Sequence, residues 1–150
     1  MLKWLDIPPM WLLGCAVLAW VQAEYVPLGL SFGQGWAFAA GTSLGALGLL
    51  LLALALMESV RNRTTPIPHM DASELITSGI FRFSRNPIYL GDILILAGLI
   101  LRWDAVVSVP LVPILVWIIN NRFIHAEEFR LERDFGDAFL RYMAQTQRWR

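Results

Sequence analysis

Trp36 to Met57 runs for 22 residues without a charged side chain. An α-helix rises 1.5 Å per residue, so ~20 apolar residues cross the ~30 Å hydrocarbon core of a bilayer. Inside lipid every backbone N–H and C=O must be satisfied within the segment, and a single isolated run can do that only as a helix. This stretch therefore points to an integral membrane protein. The rest of the composition agrees: 57% of the residues are hydrophobic and only 16% charged, where a soluble domain averages about 25% charged. The chain has 150 residues, enough for one domain. Its net charge of +0 gives no general attraction to nucleic acid. Cys15 is the single cysteine and can form no internal disulfide.

Other apolar runs flank this segment. Met10 to Val26 is the first, interrupted late by Gln22 and Glu24, and Pro27, Gly29, Gly33 and Gly35 mark the turn that follows. Asp6, Pro8 and Pro9 interrupt its approach, and no small-x-small site follows, so it is not expected to be a cleaved signal peptide. Ile88 to Leu101 and Ala105 to Ile119 form a third and a fourth run, separated by Arg102-Trp103-Asp104, with Pro110 and Pro113 inside the last. Both are short. Each recruits flanking residues, tilts against neighbours, or joins the other in a half-deep hairpin. The expected fold is all-α and polytopic, with about four membrane helices and an amphipathic C-terminal helix. Residues 1–57 form an N-terminal helix pair and 58–150 a second part of one membrane domain.

Basic residues set the orientation. Lys3 precedes the first run. Arg61, Arg63, Arg82 and Arg85 lie between the second and third. Arg122, Arg130, Arg133, Arg141, Arg148 and Arg150 follow the fourth, leaving Arg102 alone on the other side. The crossing number is even in either arrangement of the last two runs, so both termini are expected in the cytoplasm, as in a bacterial inner-membrane protein. Gly41, Gly45 and Gly48 give the small-residue spacing of close helix packing, within the chain or between copies.

Chemistry concentrates at the start of the third run, in SGIFRFSRNPIYLG (Ser78 to Gly91). Gly79 permits a tight turn. Pro87 suits the first turn of a helix and Asn86 is placed to cap it with its side-chain oxygen. Free N–H groups there can hold an anion. Tyr89 offers a ring or hydroxyl, and Asp92 is an acid at the rim of the run. Singly, each feature is explained by structure: a cap, interfacial aromatics, Arg82 and Arg85 on lipid phosphates. From Arg122 to Gln147 the residues wind as one amphipathic helix, with Ile124, Leu131, Phe135, Ala138, Phe139 and Tyr142 on one stripe. Glu127 and Glu128 flank that stripe. Either they snorkel to headgroups, or they point inward and need a cation, from Arg82, Arg85 or a ligand.

TTPIP (Thr64 to Pro68), LITSGIFRFSRNPIYLGD and AEEFRLERDFGDAFLRYM together resemble the integral-membrane methyltransferases related to isoprenylcysteine carboxyl methyltransferase, a group similar in turn to phospholipid N-methyltransferases. The resemblance covers residues 58 to 147. It implies a small helical bundle whose C-terminal half binds S-adenosylmethionine in a cytoplasmic pocket. Carried over residue by residue, that pocket takes in the Ser73 to Ile76 region, including Leu75, then Phe81, Arg85, Asn86, Pro87 and Tyr89. Glu127 holds the cofactor with Glu128 beside it, and Arg122 stands near the arginine that positions the acceptor. Asn86 replaces a histidine of the eukaryotic enzymes and Phe81 a frequent tyrosine, which puts cofactor hydrogen bonding in question.

Three functions follow from these residues. The first is a methyltransferase using S-adenosylmethionine on a lipophilic acceptor drawn from the surrounding lipid. The second is an NADPH-dependent reductase, since membrane sterol reductases carry a similar motif and Asp92 after Gly91 suits them. The third is a non-catalytic membrane protein with a vestigial pocket. No metal site is expected, because His69 and His125 are far apart and lack ligand-spaced partners.

Overall fold

A computed structural model describes residues 5–33, 35–66 and 72–149. Lys3, Ile67, Pro68, His69 and Arg150, which enter the sequence reading above, lie outside the described residues. Among those described the fold is all-helical: α1 (Pro8–Tyr25), α2 (Trp36–Arg61), α3 (Pro87–Arg102), α4 (Leu111–Ile119), α5 (His125–Phe135) and α6 (Asp137–Gln145). By length and composition two continuous helical stretches could cross a membrane, Trp36–Arg61 and Val106–Phe135.

The second stretch differs from the expected pattern of an apolar run followed by a separate amphipathic helix. Pro110 caps α4 and Pro113 sits in its first turn, where the missing N–H is one of the orphans of any helix start. Neither proline therefore interrupts it. At the other end a π-helical turn, Asn120–Ile124, joins α4 directly to α5. The amphipathic helix expected from Arg122 to Gln147 is broken instead at Gly136, whose φ of +52° and ψ of −123° suit only glycine. The apolar stripe survives the break: Ile124, Phe139 and Tyr142 are buried, although Ala138 is exposed.

α3 is the hub of the bundle. It packs against α1, α2 and α4, whereas α1 and α2 scarcely touch each other. The α2–α3 crossing explains the glycines. A Cβ at Gly48 would lie 2.6 Å from the Gly91 carbonyl oxygen, and one at Gly41 would lie 2.5 Å from that of Gly98. The small-residue face is thus spent inside the chain. Only hydrogen at these positions lets the two antiparallel backbones come so close. Cys15, Ala19, Tyr89, Leu96, Ile100, Leu115, Ile119 and Phe123 form the core between α1, α3 and α4. Outward, α2 exposes Leu47, Leu49, Leu50, Leu56 and Met57, an apolar face that a bilayer would cover.

Polar contacts tie the ends. Arg102 donates to Thr42 Oγ1 at 2.6 Å and its guanidinium lies 4.2 Å from the centre of the Phe38 ring. Asp104 accepts the Phe32 N–H at 2.8 Å. The Ser31 side chain first, and then that bond, hold its carboxyl below the ordinary value of 3.8.

Candidate functional site

A cavity of about 450 Å³ opens where the start of α1, the end of α2, the segment 72–81, the start of α3 and α5 converge. That volume is in the range that holds a drug-sized ligand. Its walls are mainly apolar: Pro8 and Leu12 from α1, Leu52 and Leu56 from α2, Leu75 and Ile76 from the connecting segment, Ile88 from α3. Polar groups enter at few points, among them Arg85, Asn86, Tyr89, Asp92 and Glu127.

Tyr89 is buried in the first turn of α3, its ring 6.5 Å from that of Phe123. Its hydroxyl donates to Glu127 Oε2 at 2.8 Å. The π-helical turn preceding α5 takes part in this meeting, because a five-residue turn shifts every following side chain around the helix relative to an α-helical path. Glu127 reaches the cavity, while Glu128, about 100° further round α5, does not line it. Arg148 donates to both Glu128 oxygens, at 3.1 and 2.6 Å, and Arg85 Nη1 lies 3.3 Å from Oε1. The two neighbouring carboxylates have separate tasks: one faces the cavity, the other fastens its wall.

The fastening extends along the chain. Arg85 N–H donates to the Gln147 carbonyl at 3.0 Å. The Arg148 carbonyl accepts from Ser84 Oγ at 3.0 Å and from Asn86 Nδ2 at 3.3 Å. Thr146 Oγ1 donates to the Arg82 carbonyl at 3.3 Å, and the Tyr142 hydroxyl to that of Phe81 at 2.6 Å. Burial pushes the Tyr142 hydroxyl above the ordinary tyrosine range, with Arg85 acting weakly against it. Residues 142–148 thus form a strap across 81–86. Gly136 turns the chain back so that α6 can deliver that strap.

Of the residues singled out from sequence, Leu75, Ile76, Phe81, Arg85, Asn86, Pro87, Tyr89 and Glu127 line the cavity. Ser73 does not; its hydroxyl donates to the Arg63 carbonyl at 3.0 Å and its N–H to Thr64 Oγ1 at 3.1 Å. Glu128 does not either, for the reason given. Arg122 is also outside. Its Nε lies 2.6 Å from Asp6 Oδ1, which also accepts from Trp11 Nε1 at 3.1 Å, so it pins the start of α1. Asn86 is 8% exposed but makes no side-chain cap for α3, contrary to the expectation of a cap. Its amide is engaged by the strap, and the first-turn N–H groups of α3 have no side-chain acceptor from it. Gln22 and Glu24, the polar residues late in α1, do not line the cavity: Gln22 accepts from Ser108 Oγ at 2.9 Å and Glu24 is exposed.

The sequence reading missed the strap and the depth of Asp92. Asp92 was legible: it stands three residues after Tyr89 and so shares its helix face. Arg85 and Asp92, both residues of the cavity wall, each carry a fully buried polar atom, Nε and Oδ2, with no hydrogen-bond partner among the described residues. Such atoms are uncommon in folded proteins, and each calls for an explanation. Among the described residues no cluster of three or more His, Cys, Asp or Glu side chains could hold a metal ion.

A family model described as phospholipid methyltransferase matches residues 36–138, which include α2, α3, α4, α5 and most of the cavity wall. No curated protein and no solved structure gives a significant match to the chain.

Proposed function

Since the chain belongs to the phospholipid methyltransferase family, we propose that it is a membrane methyltransferase that uses S-adenosylmethionine to methylate a lipophilic acceptor. The observation that carries this reading is the cavity itself. Within the family's matched segment its lining includes Arg85 and a Tyr89–Glu127 pair, set in apolar walls.

These groups fit that cofactor. Arg85 and the uncapped N–H groups of the α3 first turn suit its carboxylate. Glu127, oriented by Tyr89, suits its ammonium or ribose hydroxyls. Phe81, Leu75 and Ile76 offer apolar faces to the adenine. When bound, the cofactor supplies a methyl group on a positively charged sulfur. The residues of the chain contribute orientation and exclusion of water, and much of the rate of such an in-line displacement comes from positioning. The strap holds Arg85 and Asn86 in place, and Glu128 anchors both through Arg148.

The poor contact between α1 and α2 suits a lipophilic acceptor. Leu12 on one helix and Leu52 and Leu56 on the other flank the cavity, a path by which a lipid-borne group enters sideways while the cofactor enters from water. In the same reading all four apolar segments lie in the membrane, in a bacterial inner membrane, with both termini and the strap on the cytoplasmic side. A reductase is less well supported. Among the described residues Arg85 is the only basic side chain on the cavity wall, whereas NADPH brings a diphosphate and a 2′-phosphate to be neutralised.

Calorimetric titration of the purified protein in detergent tests this. S-adenosylmethionine is expected to bind saturably and NADPH not at all. Glu127→Gln and Tyr89→Ala each remove a charge-assisted contact worth about 1.5–3 kcal/mol, so affinity should fall roughly 10- to 100-fold. NADPH binding without S-adenosylmethionine binding, or both variants binding like the parent, overturns the proposal.

A further inference from the structure

Asp92 is a buried ionisable group on the cavity wall to which the cofactor site gives no task. It lies on α3 one turn beyond Tyr89, is 2% exposed, and its Oδ2 has no donor among the described residues. It stands about 8 Å along the helix from Pro87, away from Arg85 and the strap. The walls also include Leu12 of α1 and Leu52 and Leu56 of α2. A carboxylate oxygen held there without a donor is costly, and the cost is relieved when a ligand brings an N–H or O–H to it.

We infer that Asp92 is a catalytic and specificity-determining residue for the acceptor, binding a nucleophile that carries a hydrogen, an amine or a hydroxyl, and taking its proton. This rests on the methyltransferase reading. The nucleophile's lone pair forms the new bond to the methyl carbon. The bond from that carbon to the sulfur of a methylsulfonium donor breaks, and its electron pair stays on sulfur. The proton leaves the nucleophile for the Asp92 carboxylate, from which it passes to water. A carboxylate acceptor has no hydrogen to give, and would bring a second negative charge beside Asp92 and Glu127 in an apolar cavity. Asp92 therefore selects against it.

Three probes of equal chain length separate these cases: tetradecylamine, tetradecanol and tetradecanoate. Each is titrated into protein held in neutral-lipid nanodiscs and loaded with S-adenosylhomocysteine, with binding read by tryptophan fluorescence. The amine, the alcohol or both should bind at least 10-fold more tightly than the carboxylate. Asp92→Asn should erase at least 10-fold of that preference, and Asp92→Glu should retain part of it. S-adenosylmethionine affinity should change less than threefold in both. Equal or tighter binding of tetradecanoate, no binding of any probe, or an unchanged preference in Asp92→Asn overturns the inference. If Asp92→Asn fails to fold, the ranking of the probes on the parent protein decides. A parent protein that binds no S-adenosylmethionine overturns the underlying reading instead.

Discussion

Gly45 and Gly48 lie on the same helix, three residues apart, and alanine at each should have opposite consequences. At Gly45 a Cβ meets nothing within 4 Å. Replacing glycine there removes backbone freedom from the unfolded chain and should stabilise by about 0.8–1 kcal/mol. At Gly48 the same atom would lie 2.6 Å from the Gly91 carbonyl oxygen, 2.8 Å from Ile95 Cγ1 and 3.1 Å from Ile95 N. Two of those three neighbours are backbone, which cannot rotate aside, so α2 and α3 must separate. Overpacking of this kind costs about 1–3 kcal/mol. The gain in helix propensity is common to both variants and cancels in their difference. Gly48→Ala should therefore be less stable than Gly45→Ala by about 1–3 kcal/mol, roughly a 5- to 150-fold change in the unfolding equilibrium. Unfolding by sodium dodecyl sulfate, followed by far-ultraviolet circular dichroism, measures it. Equal stability of the two variants would refute the close α2–α3 crossing, and with it the placement of Tyr89 and Asp92.

Arg148→Ala strips Glu128 of two hydrogen bonds and leaves it only Arg85, so a loss of about 1–3 kcal/mol is expected in the same unfolding assay, with weaker S-adenosylmethionine binding because Arg85 is released. Asp104 contributes stability above the ordinary carboxylate value of 3.8, and that contribution is lost as pH falls through its lowered folded value. The melting difference between the parent and Asp104→Asn should accordingly be constant from about pH 8 to 5 and shrink below about pH 4. A cysteine replacing exposed Thr77, in a Cys15→Ser background, should react with membrane-impermeant maleimide only in inverted vesicles. Labelling in intact cells would reverse the orientation.

The helical class, the uncharged Trp36 helix and eight of the cavity-lining residues were legible because they rest on local rules: an uncharged run, a proline at a helix start, a short motif. What stayed hidden depends on distant partners. Asn86 reads as a cap until the strap claims its amide, and nothing in Gln147-Arg148-Trp149 announces that its carbonyls will meet residues 84 to 86. Glu127 and Glu128 look equivalent on a helical wheel, and only their partners separate their roles, Tyr89 for one and Arg148 with Arg85 for the other. Gly136 was visible as part of a motif, but its meaning as a chain reversal comes from a positive φ. Arg122 falls to Asp6, 116 residues away, a pairing that no periodicity conveys.

The central claim is that S-adenosylmethionine lies between Arg85 and the Tyr89–Glu127 pair. An experimental structure with bound S-adenosylhomocysteine tests it directly. The account expects nucleoside density in the cavity, with the amino-acid carboxylate within hydrogen-bond distance of Arg85 and a polar group of the ligand on Glu127. Density elsewhere on the protein, with that cavity closed or filled by lipid alone, would contradict it.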